Sequence, residues 1–204
     1  MHCTPEIPHR TRFRVFAILL SAALAVTVRA YDYPLSSEAI RDAYFQGRQQ
    51  VGLGGDFLAK YSRSIPELKV EPYISRVRIE TPFFQVAAHA AKALNYSAQD
   101  AVKDFYGKRA VVRMYLEICY EVDAPLPNSV RISVTQKNKL IAALSDERTA
   151  FFPPSDVYTR VPNLGEKVAL EFDPTKLDSS TLTILIDTPD GQHASSELDL
   201  QSLR

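Results

Sequence analysis

Past position 30 the chain carries two histidines, His89 and His193, and one cysteine, Cys119, the side chains that most often serve as general base, nucleophile or metal ligand. Neither histidine stands in a spacing such as H-E-x-x-H that brings two ligands to one metal. On a helix over 83–94, His89 falls on the flank of the apolar stripe, where a solvated histidine is the ordinary occupant. Cys119 is flanked two residues away by Glu117 and Glu121, and neighbouring carboxylates disfavour a thiolate, so it reads as a structural thiol. Asp187 and Asp190 bracket Thr-Pro and precede Gly191, which is the composition of a turn between two antiparallel strands rather than of a calcium loop. Asp146 and Glu147 are scattered acids; a glycosidase pair is defined by a separation of about 5–9.5 Å in space, which sequence does not display. With no G-x-S-x-G elbow present, the reading expects no catalytic residue, no cofactor and no metal. A hydrolase assembled from dispersed residues is its alternative.

FFPPSDVY, residues 151–158, is the segment with most to offer a partner. Phe151, Phe152 and Tyr158 around a stiff Pro153-Pro154 pair can present an aromatic contact that loses little entropy on binding. The favoured role for the two phenylalanines is closing the end of a β-sandwich, because paired exposed aromatics are unusual on a soluble surface.

These groups need elements to hold them. After Pro34, Ser36 or Ser37 can cap a helix whose apolar positions Ile40, Ala43 and Tyr44 follow helical spacing, with Gly47 as its stop. Four of the seven glycines fall in GRQQVGLGG, a connector; no strand precedes it and no phosphate-loop pattern is present. Asp56 can cap a second short helix through Tyr61, ended by Pro66. YISRVRIE (73–80) alternates as a half-buried strand. Helices follow at 83–94 and, behind a capping box from Ser97 to Asp100, at 98–105, stopped by Asn95 and Gly107.

From Arg109 the period becomes two. RAVVRMYLEICYEV sets Val112, Met114, Leu116, Ile118 and Tyr120 against Arg113, Tyr115, Glu117 and Cys119. Strand-like runs at 130–136, 140–144, 157–161, 167–173, 182–187 and 195–200 are separated by turn-rich segments, which predicts an antiparallel sandwich. The fold class expected is α+β: short N-terminal helices with one strand (31–107) packed on an antiparallel, immunoglobulin-like β-sandwich (108–204), without the tryptophan and cysteine pair of antibody domains. Loops such as 145–158 form the expected contact surface.

Residues 1–30 have the layout of a signal peptide. Arg10, Arg12 and Arg14 precede the apolar run Val15–Val28, and Val28-Arg29-Ala30 supplies small residues before a cut between Ala30 and Tyr31. The 14-residue run is shorter than the roughly 20 apolar residues a spanning helix needs, so no stable membrane anchor is expected after cleavage. Cys3 leaves with this segment, so Cys119 has no disulfide partner in the remainder. Of 24 basic and 24 acidic residues, four arginines and one glutamate lie in 1–30, which leaves the rest weakly acidic and disfavours nucleic acid as a partner. Asn95-Tyr96-Ser97 matches an N-glycosylation sequon.

YDYPLSSEAIRDAYFQGR, NYSAQDAV and the close IDTPDGQHASSELDLQSLR resemble a group of uncharacterised secreted bacterial proteins of about this length. The resemblance implies export, periplasmic or extracellular, and a helix-plus-sandwich arrangement, and implies no activity. The function expected is a non-catalytic binding or structural module whose partner is a protein or a glycan, a carbohydrate-binding module being one form of it.

Overall fold

The computed structural model describes residues 33–49, 55–65, 74–120, 130–152, 164–177 and 181–203. They form four α-helices and two antiparallel sheets. The helices are α1 (Ser37–Gln49), α2 (Gly55–Lys60), α3 (Pro82–Lys92) and α4 (Ala98–Tyr106). The strands are β1 (Ser62–Ser64), β2 (Ile74–Glu80), β3 (Val112–Tyr120), β4 (Arg131–Gln136), β5 (Lys139–Leu140), β6 (Ser145–Phe151), β7 (Leu164–Phe172), β8 (Thr181–Asp187) and β9 (His193–Asp199). One sheet runs β1-β2-β3-β7-β6, the other β5-β4-β8-β9. No described helix is long and apolar enough to cross a membrane.

Local chemistry accounts for the helix starts. The Ala39 amide donates to Ser36 Oγ at 3.1 Å, and the Phe84 amide donates to Thr81 Oγ1 at 3.2 Å with Pro82 opening the first turn. Ser97 and Asp100 form the expected capping box: the Asp100 amide donates to Ser97 Oγ (3.1 Å) and the Ser97 amide to Asp100 Oδ2 (3.0 Å). The Ser97 hydroxyl, donating to Asp100 Oδ2 at 2.6 Å, and the Ser97 amide together hold the exposed Asp100 carboxyl below its ordinary range.

Alternation sets the sheets. Val112, Met114, Leu116, Ile118 and Tyr120 of β3 are all buried, as are Val77 and Ile79 of β2, and these join Val134, Leu182, Ile184, Ile186 and Leu198 of the other sheet in one hydrophobic core. Ile40, Ala43, Phe83, Phe84 and Ala87 of the helices belong to the same cluster. Phe57, Tyr61 and Phe84 stack where α2, β1 and α3 meet, with ring centroids 4.7–5.5 Å apart.

Several expectations are corrected. Gly47 does not end α1, which continues to Gln49. It lies where α1 crosses α3, and a Cβ there would stand 2.1 Å from the Ala87 carbonyl oxygen. The glycine serves close helix approach, a need invisible to local pattern. Asp56 lies in the first turn of α2 rather than before it, and Ser62–Ser64 adds a second strand to the N-terminal section. The strand expected in a section packed on the sandwich belongs to its sheet: β2 pairs with β3 from Glu80↔Arg113 to Ile74↔Ile118, across one irregularity. The run 140–144 contributes only Leu140 to β5, and the chain then crosses to the other sheet. Residues 145–151, expected as loop, are edge strand β6, because their hydrogen bonds to β7 outweigh a sequence with little apolar alternation. The expected strand 157–161, Tyr158, and the cleavage pair Ala30 and Tyr31 lie outside the described residues.

Candidate functional site

The outer face of the five-stranded sheet is built by residues that alternate with the core positions. Cross-strand register arranges them in rows. One row reads Arg78, Tyr115, Ala169, Glu147 across β2, β3, β7 and β6. Its neighbours read Glu80, Arg113, Glu171, Ser145 on one side and Arg76, Glu117, Lys167, Thr149 on the other. At the far end Cys119, Gly165 and Phe151 complete the face.

Ala169 is the short member of the central row. With only a methyl group there, the face sinks into a hollow of about 340 Å³ bordered by Tyr115, Glu147, Thr149, Lys167 and Arg78. A contiguous depression reaches past Glu171 to Arg113. Arg113 also lines a cleft of about 320 Å³ between α3 and α4, whose polar groups include His89, Tyr96 and Asp104. Arg113 thus borders both that depression and the cleft.

Ion pairs hold much of the rim in place. Arg113 Nε donates to Glu171 Oε1 at 2.8 Å, Arg76 Nε stands 3.1 Å from Glu117 Oε2, and Lys167 Nζ stands 3.7 Å from Glu117 Oε1. These groups are half-exposed, so the pairs orient side chains more than they stabilise the fold. The Arg78 guanidinium sits 4.8 Å from the Tyr115 ring centre, and Lys167 Nζ lies 5.0 Å from that of Phe151. Burial pushes the Glu80 carboxyl up despite Arg78, Arg113 and Lys92. Burial, reinforced by Glu80, also raises the Tyr115 hydroxyl.

In the cleft, the Tyr96 hydroxyl donates to Asp104 Oδ2 at 3.3 Å and the His89 ring meets the Tyr96 ring edge-on at 4.7 Å. Burial and the Asp104 carboxylate push the Tyr96 hydroxyl up to about 12. Such a phenol stays protonated at neutral pH and acts as donor, not base.

His89 is exposed, and His193 is exposed on the far hairpin with Nδ1 2.7 Å from Asp187 Oδ1. Cys119 is fully buried on β3 opposite Gly165. Asp187 and Asp190 belong to the β8–β9 turn, where the Thr188 amide donates to the Gln192 carbonyl and Gly191 takes a φ of +82°. Among the described residues no three His, Cys, Asp or Glu side chains converge on a point where a metal would sit.

Phe151 and Phe152 do not close the end of the core. Phe151 lies half-buried on the outer face, its ring filling the space above Gly165, where a Cβ would stand 2.6 Å from its Cε1. Phe152 is 84% exposed. The pair straddles the end of β6, an edge strand: Phe151 is its last residue and Phe152 the first beyond it.

Sequence reasoning missed Tyr115, Glu147 and Ala169. The signal was the polar half of the period-two pattern, which shows which residues share a face, whereas the dip at Ala169 needs the register of four strands. No family model matches the chain, and neither does any curated protein or solved structure.

Proposed function

We propose that this chain is an exported, non-catalytic binding module. In this reading its two sheets are an immunoglobulin-like sandwich and its ligand surface is the outer face of the five-stranded sheet. Taken from β2 onward, the strand orders β2-β3-β7-β6 and β5-β4-β8-β9 correspond to the A-B-E-D and C′-C-F-G sheets of that architecture, with the two helices α3 and α4 inserted between the first two strands. The observation that carries the binding role is the hollow over Ala169, whose volume falls in the range of small-ligand sites and whose rim is already held by the Glu117 ion pairs, with Arg113–Glu171 fixing the adjoining depression. A rim ordered before the ligand arrives lowers the entropy that binding must offset.

The non-catalytic reading is supported by the distribution of reactive groups. The thiol is buried, His193 lies on the other sheet, and the phenol beside His89 is held protonated. Export is supported by the basic start, the short apolar run and the Val28-Arg29-Ala30 end.

Complementation of a deletion strain tests the function. Ala169→Leu, which fills the hollow, should abolish rescue at normal protein level, while Cys119→Ala, His89→Ala and His193→Ala should each restore it. Loss of rescue by one of those three, with folding and abundance unchanged, would return the chain to the enzymes. N-terminal sequencing of the exported protein should begin at Tyr31; a Met1 start in the membrane fraction overturns the export reading.

A further inference from the structure

We infer that the hollow over Ala169 binds a neutral sugar ring, stacked on Tyr115 and held through its hydroxyl groups by Glu147; this rests on the binding role proposed above. Tyr115 and Glu147 stand in one row with only Ala169 between them, on strands two positions apart. Two interstrand spacings separate their backbones by about 10 Å. The Arg78 guanidinium covers one face of the Tyr115 ring, and Arg78, Tyr115 and Ala169 all line the hollow. A saturated ring in van der Waals contact lies about 4 Å from an aromatic face, which leaves its far edge within hydrogen-bond reach of a carboxylate on β6.

Charge selects the ligand class. Arg113 is paired with Glu171, Arg78 with Glu80, and Arg76 and Lys167 share Glu117; the remaining positive charge is matched by Glu147 on the same face, so the slot has no net charge to offer a phosphate or an acidic chain. Glu147 is exposed, and its carboxylate makes no ion pair or hydrogen bond among the described residues. A carboxylate has two acceptor oxygens and suits two adjacent hydroxyl donors. Lys167 and Thr149 beyond one end of the slot, and Ser145 beyond the other, add the donors and acceptors that a polyhydroxylated ring requires. A single aromatic face combined with dispersed neutral and ion-paired polar groups fits a pyranose better than an anion or a wholly apolar ligand.

The test is calorimetric titration of the purified full chain with neutral hexasaccharides of glucose (β-1,4 and α-1,4), xylose and N-acetylglucosamine, with tetramethylammonium chloride as a cation probe. At least one saccharide should bind. Tyr115→Ala and Glu147→Ala should each weaken it at least about tenfold, and Ala169→Leu should abolish it with an unchanged thermal midpoint. Absence of binding by every saccharide overturns the assignment, as does saccharide binding indifferent to Glu147→Ala and Ala169→Leu. Tetramethylammonium binding that Ala169→Leu removes, without saccharide binding, would refute the sugar assignment and leave the hollow as a ligand site. Glu147 is solvent-exposed, so its substitution keeps the test informative if Tyr115→Ala fails to fold.

Discussion

Replacing Gly47 by alanine sets two known effects against each other. Gly47 is inside helix α1, where propensity alone predicts that alanine stabilises by about 1 kcal/mol. The crossing with α3 predicts the reverse. The added Cβ would stand 2.1 Å from the Ala87 carbonyl oxygen and 2.8 Å from its carbon, both backbone atoms that no rotamer change can move. Relief requires the two helices to separate, which loosens Ile40 and Ala43 against Ala87 in the shared core, and a radial gap of even 0.5–1 Å forfeits a quarter to a half of each contact. Overpacking of this kind costs about 3 kcal/mol at the upper end of its usual range, so the net expectation is a loss of about 2 kcal/mol. In a chain of this length that lowers Tm by about 4–8 °C. Gly55→Ala is the control. Nothing lies within 4 Å of its added Cβ, and it sits at the first residue of α2, so it should be neutral or slightly stabilising. Urea titration followed by far-UV circular dichroism measures both. Gly47→Ala at or above wild-type stability would falsify the close crossing and, with it, the account of why α1 runs through a glycine.

Two further outcomes follow from the buried and half-buried charges. Glu166 on β7 faces the core with a side chain 6% exposed, its Oε2 3.6 Å from Arg148 Nη1, while the same guanidinium nitrogen donates to the Val130 carbonyl at 2.7 Å. Arg148→Ala strands that carboxylate and should cost about 2–3 kcal/mol in chemical denaturation, and adding Glu166→Gln should recover part of the loss; equal stability of Arg148→Ala and wild type would show that the pair is not buried as described. Glu80 has its folded carboxyl raised above the unfolded value by burial, so its ionisation opposes folding at pH 7 and the opposition fades as pH falls through the folded value. Glu80→Gln should therefore be the more stable protein at pH 7, with the gap closing toward pH 4 and below; a gap that widens on acidification contradicts that sign.

Local pattern determined the elements whose reasons are local. The period-two run from Val112 to Tyr120 made β3 with its two faces correctly divided, Val77 and Ile79 marked the buried side of β2, and Ser97 with Asp100 placed the start of α4, because alternation and capping act within a few residues. The tertiary structure decided what depends on contact between distant segments. Gly47 is a helix stop by composition and a crossing point by geometry. Ser145–Phe151 is a strand because β7 offers it hydrogen bonds, and Phe151 leaves the core because Gly165 opposite gives its ring a seat on the outer face. Tyr115, Ala169 and Glu147 carry no signal individually. They become a slot only when pairing of β3 with β7, and of β7 with β6, brings residues 22 to 54 positions apart into one row, and register is a property of the assembled sheet, not of any strand in it.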